Sequence, residues 1–226
     1  ITGKFISSKN IATLNAFAKL AEYKGVKVHN FILDQTTGTD ALNVFITSDR
    51  IDITDSLYIQ NINIANILRN DSLNLNVKLS DKDATNQLDL NGLVYFNRDS
   101  GALFSILPSD VIINRETWKI QEQVKIGFDK GKTTIEDFAL SRENQVVTID
   151  GIISPDPEDK LNINFNQFQL TTFNPLTKGA GINLKGELNG NVNLASLTKN
   201  IRVGSALTID SLNMNGTAID RMDLKA

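Results

Sequence analysis

The chain lacks several residue types on which common protein chemistries depend. Its 226 residues include no cysteine, which excludes disulfides, thiolate metal sites and cysteine nucleophiles. There is a single histidine, His29, so a typical zinc site is excluded, and a Ser-His-Asp triad would lack its usual nucleophile elbow. Alternation puts His29 with Lys27 on the polar side of its segment, where a solvated strand residue is predicted.

Larger features of enzymes and nucleic-acid-binding proteins are missing as well. The sequence has no Gly-rich phosphate loop, no EF-hand-type calcium loop and no marked pair of carboxylates. The formal net charge is −3 without a basic stripe, so nothing favours nucleic acid or an anionic membrane surface. No apolar run approaches the roughly 20 residues of a membrane span. The chain is therefore predicted not to be an enzyme, and to use neither metal nor cofactor.

What the sequence does contain is strict alternation in which the polar partner is very often Asn. The clearest copies occupy residues 73–77, 161–165, 191–194 and 212–215. A period of two puts apolar side chains on one face of a strand and polar side chains on the other. The pattern therefore predicts a long sheet with one apolar face and one polar face.

One segment near the N-terminus departs from this alternation. Its apolar residues recur at three- and four-residue spacing with Ala-rich filling, which predicts an amphipathic helix over residues 10–24 that ends at Gly25. The periodic residues are Ile11, Leu14, Phe17, Ala18 and Ala21.

From about residue 26 to residue 226 the pattern predicts strands almost throughout. Asn189-Gly190 is interpreted as a turn between strands over 181–188 and 190–194, and a further break separates 205–209 from 211–215. No low-complexity linker divides the chain, so residues 1–226 are predicted to form a single elongated β domain. Because the chain opens in mid-pattern at Ile1, it is expected to be an internal fragment of a larger protein.

A loose repeat of an apolar residue, any residue and Gly runs through the β part. Gly inside or at the end of a strand marks a bulge, a bend or a close approach. The predicted fold class is therefore mainly β, an elongated, curved open sheet or solenoid-like groove with one short helix near the N-terminus. The copies of the repeat end at Gly92, Gly151, Gly186, Gly190 and Gly216.

The tripeptide Asp-Ser-Leu occurs three times, with its serines at Ser56, Ser72 and Ser211. It resembles a short O-glycosylation acceptor motif of envelope proteins in some Gram-negative bacteria, so these serines are candidate glycosylation sites. The alternative is a turn carboxylate followed by the first residue of a strand.

A series of weak patterns between residues 102 and 194 is similar, in its order, to the interior of large envelope proteins of the TamB/AsmA-like superfamily. The stretch 12–58 is compatible, so the resemblance covers nearly the whole chain. The patterns are Phe104–Asn114, Trp118–Ile120, Ile135–Leu140, Val147–Gly151, Leu161–Leu170 and Leu184–Gly190.

The resemblance implies a location and a function. Members of this superfamily extend through the periplasm of Gram-negative bacteria as a sheet folded like a taco with an apolar interior. They are anchored in the inner membrane and act as bridge-like lipid transfer proteins and as translocation and assembly modules. The implied partners are phospholipid acyl chains, an inner-membrane anchor and an outer-membrane barrel. The family supplies no catalytic residues.

The first functional hypothesis is therefore a lipid-conducting groove that connects the inner and outer membranes, supports outer-membrane protein assembly, or does both. The helix over 10–24 is expected to cap one end of it. The groove candidates are the apolar members of the clearest alternations. They are Leu73, Leu75, Val77, Leu88, Leu90, Ile126, Phe128, Leu161, Ile163, Phe165, Leu184, Leu188, Val192, Leu194, Leu207 and Ile209.

Two alternatives stay open at this level. In the first, the same side chains pack a closed core, and the protein is a β-solenoid or adhesin-like stalk that presents a protein-binding surface. In the second, the chain is a carbohydrate-active β enzyme, for which the sequence offers no catalytic constellation. Trp118 is interpreted as a core or sheet-edge residue, with ligand stacking as its alternative.

Overall fold

A computed structural model describes residues 1–9, 11–38, 40–53, 58–69, 72–81, 85–97, 101–177 and 181–226; at residues 97, 175 and 176 it describes the backbone alone. The fold is mainly β, as the alternation predicts. Among the described residues, the helical part comprises one α-helical turn, α1 (Asn174–Thr177), and two 3-10 turns, Ser7–Lys9 and Leu170–Phe173.

Seventeen strands account for most of the described residues. In chain order they are β1 (Thr2–Ile6), β2 (Ile11–Tyr23), β3 (Val26–Thr37), β4 (Leu42–Asp52), β5 (Tyr58–Arg69), β6 (Ser72–Ser80), β7 (Gln87–Asn97), β8 (Gly101–Ile106), β9 (Ser109–Ile113), β10 (Glu116–Ile120), β11 (Val124–Asp129), β12 (Lys132–Arg142), β13 (Gln145–Ile153), β14 (Lys160–Gln169), β15 (Leu184–Ala195), β16 (Arg202–Met214) and β17 (Thr217–Lys225).

The chain divides into two compact units. Unit 1 comprises residues 1–98 and 104–116, and unit 2 comprises residues 99–103 and 117–226. In unit 1, strands β1 to β7 pair in sequence order, each antiparallel to the next, and β9 pairs with β7. In unit 2, β10 and β11 both pair with β12, from which β13 to β17 continue in sequence order. Sequential antiparallel pairing lets adjacent strands connect through short turns.

The predicted helix over residues 10–24 is wrong, because most of this segment forms strand β2. Its residues pair with β1 on one side and with β3 on the other, so backbone hydrogen bonds run between strands and not within a helix. Ala12, Leu14 and Ala16 share one face of β2, whereas Phe17 lies on the other face and is 63% exposed. Strand pairing therefore overrides the helix propensity of the alanines.

Gly25, expected to stop that helix, instead closes the hairpin between β2 and β3. Lys24 has φ = 49° and Gly25 has φ = 83°, and two consecutive positive φ angles define the hairpin turn whose twist suits antiparallel strands. The same geometry recurs at Lys130-Gly131 between β11 and β12, and at Asn215-Gly216 between β16 and β17.

Several strands are longer than predicted, because predicted breaks lie inside them. β15 runs through Asn189-Gly190, and β16 runs through Ser211. At Ser211 the backbone has φ = 54°, and the pairing register between β15 and β16 shifts, which defines a β-bulge. Strands of up to 13 residues span about 40 Å at roughly 3.3 Å per residue.

Candidate functional site: the apolar sheet faces

The pairing register of unit 1 brings its predicted groove residues onto one face. Residues directly opposite each other in antiparallel strands share a face. Leu73 lies opposite Leu68 and Val94, and Val77 lies opposite Ile64 and Leu90. We define the apolar face of unit 1 by Leu42, Val44, Ile46, Ile62, Ile64, Leu68, Leu73, Leu75, Val77, Leu79, Leu88, Leu90 and Val94.

The same holds in unit 2. Ile163 lies opposite Ile149 and Val192, and Leu188 lies opposite Ile209. We define the apolar face of unit 2 by the predicted residues Ile126, Phe128, Leu161, Ile163, Phe165, Leu184, Leu188, Val192, Leu194, Leu207 and Ile209, together with Ile135, Phe138, Leu140, Val147, Ile149 and Met214.

Most of these side chains are neither sealed nor fully exposed. All five predicted residues of unit 1 are half-buried, and Ile62 is a fully buried member of that apolar face. Among the predicted residues of unit 2, Leu161, Leu188 and Ile209 are buried, whereas Phe128 is 45% exposed. A packed interior would bury such residues almost completely. The apolar faces are therefore partly accessible to solvent.

The opposite faces carry the Asn side chains as cross-strand pairs. In unit 1, Asn76 Nδ2 donates a hydrogen bond of 2.9 Å to Asn91 Oδ1 on the neighbouring strand. In unit 2, Asn164 lies opposite Asn191 and donates to Thr148 Oγ1 at 3.2 Å. Because these amides make cross-strand hydrogen bonds on the face opposite the apolar side chains, the alternation yields a sheet with one polar and one apolar side.

The glycine repeat marks bends in unit 2, as the sequence predicts. In β12, Asp137 adopts φ = 62° at a bulge, and its N–H donates to Asp150 Oδ1 on β13 at 2.9 Å. In β14, Gln167 adopts φ = 49° at a bulge, and its N–H donates to Asn189 Oδ1 on β15 at 2.7 Å. In both cases the accepting residue precedes a repeat glycine. Bulges bend a strand and increase its twist, so these contacts hold the local curvature.

One end of the apolar face of unit 2 is filled by aromatic side chains. Phe168 lies 5.7 Å from Trp118, 5.7 Å from Phe165 and 5.0 Å from Phe173, measured between ring centroids. Trp118 is 1% exposed, which agrees with its interpretation as a core residue. Phe173 comes from the 3-10 turn Leu170–Phe173, so this turn, and not the predicted N-terminal helix, covers part of the face.

The apolar face of unit 1 gives way to charged residues along β4, a feature that the sequence reasoning missed. Arg50 Nε donates to Asp52 Oδ1 at 2.5 Å, and His29 Nε2 lies within hydrogen-bond distance of Asp52 Oδ2, at 2.7 Å. The Arg50 guanidinium lies 4.0 Å from the ring centroid of Tyr58. Lys27 lies opposite Asp52 in the register. We call Lys27, His29, Arg50 and Asp52 the charged end.

The charged end favours the ionised form of Asp52. Hydrogen bonds from Arg50, and then from His29, keep the pKa of Asp52 below its ordinary value despite some opposing desolvation. His29 is on the same side as Lys27, as predicted, but this side continues from the apolar face of unit 1 and is not a separate polar face, and the His29 side chain is paired and 37% exposed. The sequence contained one signal of this cluster: Lys27 and His29, and likewise Arg50 and Asp52, are two residues apart, so each pair lies on one face of its strand.

A pocket of about 330 Å³ lies in unit 1 beside the charged end. It shares Tyr58 with the cation–π contact of Arg50, and Gln60, which also lines it, is directly opposite Arg50 in the register. Its volume is at the lower limit of typical small-molecule sites. The apolar part of the lining comes mainly from Ile59, Leu79, Leu88, Val111, Ile112 and Ile113.

The three candidate glycosylation serines occupy different settings. Ser56 lies outside the described residues. Ser72 begins β6 and donates to the carbonyl oxygen of Arg69 at 3.1 Å, whereas Ser211 is exposed at the bulge of β16. Among the residues described, no group of three or more His, Cys, Asp or Glu side chains is placed to hold a metal ion.

Comparisons with protein families, with curated proteins and with solved structures find no match to this chain. In the part of the chain that the structure describes, no helix is long and apolar enough to cross a membrane.

Proposed function

We propose that this chain is a segment of a periplasmic protein whose apolar β groove conducts phospholipids between the inner and outer membranes. The observation that carries the proposal is a single-sided apolar face in each unit, most of whose described side chains are only half-buried. A soluble protein rarely leaves a large contiguous apolar surface accessible unless that surface binds something apolar.

The energetics suit transport as well as binding. Moving an acyl chain between apolar surroundings costs little, because the transfer free energy of roughly 0.8 kcal/mol per CH₂ applies equally on both sides. A row of similar apolar side chains, such as the row of Ile149, Ile163 and Val192, offers no strongly preferred stopping point. Lipid would then move down its concentration gradient along the face.

The wider setting of the proposal rests on the resemblance to the TamB/AsmA-like superfamily. It implies that the chain forms part of an elongated, curved groove in a longer protein anchored in the inner membrane of a Gram-negative bacterium. It adds an outer-membrane barrel as a partner and outer-membrane protein assembly as a further function. The bulges of β12 and β14 supply local bends of the kind that such a groove needs.

Transfer of a fluorescent phospholipid between donor and acceptor vesicles tests this function. Leu75→Glu places a carboxylate on the apolar face of unit 1, and Asn74→Glu places the same group on the exposed polar face of the same strand. We expect the first change to slow transfer several-fold and the second to leave it unchanged, because only the first puts a charge among apolar side chains. Equal rates in two folded variants would contradict the proposal.

A structural stalk remains the second candidate, and the aromatic cluster of unit 2 favours it. Trp118, Phe165, Phe168 and Phe173 fill one end of the apolar face of unit 2 as a core would. If lipid neither binds nor transfers, the half-buried face is a scaffold surface that another protein covers.

A further inference from the structure

Along β4, apolar and charged side chains share one face of the sheet. Val44, Ile46 and Ser48 alternate toward Arg50 and Asp52, and β4 contains no positive φ angle among its residues. Successive alternate residues of a regular strand point to the same side. The charged end is therefore continuous with the apolar face of unit 1, and not part of the polar face behind it.

Within the charged end, Asp52 bonds with both Arg50 and His29 and so fixes their positions. One of its oxygens accepts from Arg50 and the other bonds with His29, so both oxygens are engaged by the protein. Arg50 contributes its Nε to this pair, and its guanidinium carbon lies over the Tyr58 ring, 4.0 Å from the ring centroid. A guanidinium has five N–H donors in a fixed plane, so an arginine held at Nε still presents its outer fork.

The charges of this region cancel in number. Lys27 and Arg50 are balanced by Asp52 and by Glu22, which lies opposite Lys27 on β2. Because the net charge of these residues is zero, an anionic ligand would be bound here by directed N–H donors more than by a positive electrostatic potential. An arginine fork matches the oxygens of a phosphate, while a lysine supplies a point charge beside it.

We infer that the charged end binds the phosphate of a phospholipid headgroup through Arg50 and Lys27, with an acyl chain entering the adjoining apolar pocket. Tyr58 and Gln60 connect the two parts, since both line the pocket and lie beside Arg50. The apolar lining of Leu79, Leu88 and Val111 suits a hydrocarbon chain, and the phosphodiester is common to zwitterionic and anionic phospholipids.

This inference rests on the proposed lipid-binding function and adds a headgroup site to it. The test is equilibrium binding of the purified chain to a tail-labelled phosphatidylethanolamine and to a diacylglycerol with identical tails. The variants are Arg50→Gln and Arg50→Lys. The matched control is Arg221→Gln, because Arg221 also bonds with a carboxylate two residues on, Asp223, but is exposed in unit 2.

We expect the unchanged chain to bind the phospholipid about tenfold more tightly than the diacylglycerol, the effect of one charge-assisted hydrogen bond. Arg50→Gln should remove most of this preference, since only Lys27 then remains for the phosphate, without weakening diacylglycerol binding. Arg50→Lys should keep part of it, because the charge remains while the fork is lost. Arg221→Gln should behave like the unchanged chain.

Other outcomes overturn the inference in distinguishable ways. If Arg50→Gln and Arg50→Lys, both folded, keep the full preference, the headgroup site is wrong while the apolar groove stands. If soluble glycerol phosphate displaces the phospholipid at equal concentration, the site takes a free anion and not a lipid. If neither labelled lipid binds to any form of the chain, the proposed function itself fails.

Discussion

At the residue scale, the same residue types make turns in some places and bends within strands in others. Asn215-Gly216 and Asn189-Gly190 are the same dipeptide, yet the first closes the hairpin between β16 and β17 and the second lies inside β15. The difference lies in the partner strand, because the Asn189 side chain accepts the N–H of the bulge residue Gln167. A short sequence window does not include the partner strand. The sequence therefore predicts an unusual backbone conformation at Gly190 but does not predict whether it forms a turn or a bend within a strand.

Gly190 provides a prediction at this scale. Its φ of 119° is rarely adopted by residues with a side chain, and an added Cβ would lie 2.1 Å from the carbonyl oxygen of Ala206. Gly190→Ala should lower the free energy of unfolding by at least about 2 kcal/mol in urea titrations, through backbone strain and overpacking. Gly127→Ala is the control, since the atom nearest to its added Cβ would be the Cβ of Thr134 at 3.9 Å; an equal loss there would contradict the account.

At the element scale, the alternation identifies most strands, whereas the helical periodicity of residues 10–24 misleads. Ala12, Leu14, Ala16 and Ala18 also alternate, so a period of two was present beneath the three- and four-residue spacing. Ala favours a helix locally. As a strand, however, the segment forms hydrogen bonds with both β1 and β3, and this long-range pairing decides its structure. Such pairing cannot be read from a window of a dozen residues.

The aromatic cluster provides a prediction for packing between elements. Phe168→Ala should lower the free energy of unfolding by about 3 to 5 kcal/mol, because it leaves a cavity beside Trp118, Phe165 and Phe173. Phe128 lies on the same apolar face but is 45% exposed. Phe128→Ala should therefore lower the free energy of unfolding by about 1 kcal/mol or less. Similar losses in urea titrations of the two variants would show that the cluster is not a local core.

The connection from β13 to β14 provides a prediction in pH. Lys132 Nζ donates to Asp159 Oδ2 at 2.7 Å and Ser154 Oγ donates to the same oxygen at 2.7 Å. The bond from Lys132, and then that from Ser154, hold the pKa of Asp159 below its ordinary 3.8. A carboxyl whose pKa is lowered by folding stabilises the fold above its ordinary pKa, and this contribution is lost as the pH falls through the folded value.

Unfolding free energies measured between about pH 6 and pH 3 check this linkage. The unchanged chain should lose more stability on acidification than Asp159→Asn, which has no carboxylate to protonate at this position. Lys132→Gln should reduce the acid dependence in the same direction, and the double variant should add little to either single change. Parallel pH profiles for the unchanged chain and Asp159→Asn would rule out the contribution of this contact.

At the scale of the whole molecule, the sequence predicts the character of the candidate site better than its boundaries. The sixteen predicted groove residues lie on the apolar face of unit 1 or of unit 2, because a period of two survives wherever a strand is regular. The charged end could not be predicted, since it depends on the register that brings His29 of β3 to Arg50 and Asp52 of β4.

Two consecutive residues of β14 allow the most direct test of the central claim. Ile163 is half-buried on the apolar face of unit 2, and Asn164 is exposed on the polar face one residue away. A photo-crosslinking residue placed at either position, followed by irradiation of cells and mass analysis, reports which face contacts lipid. The account predicts covalently attached phospholipid at position 163 and none at position 164. Absence of label at both positions in folded protein, or equal label at both, would contradict it.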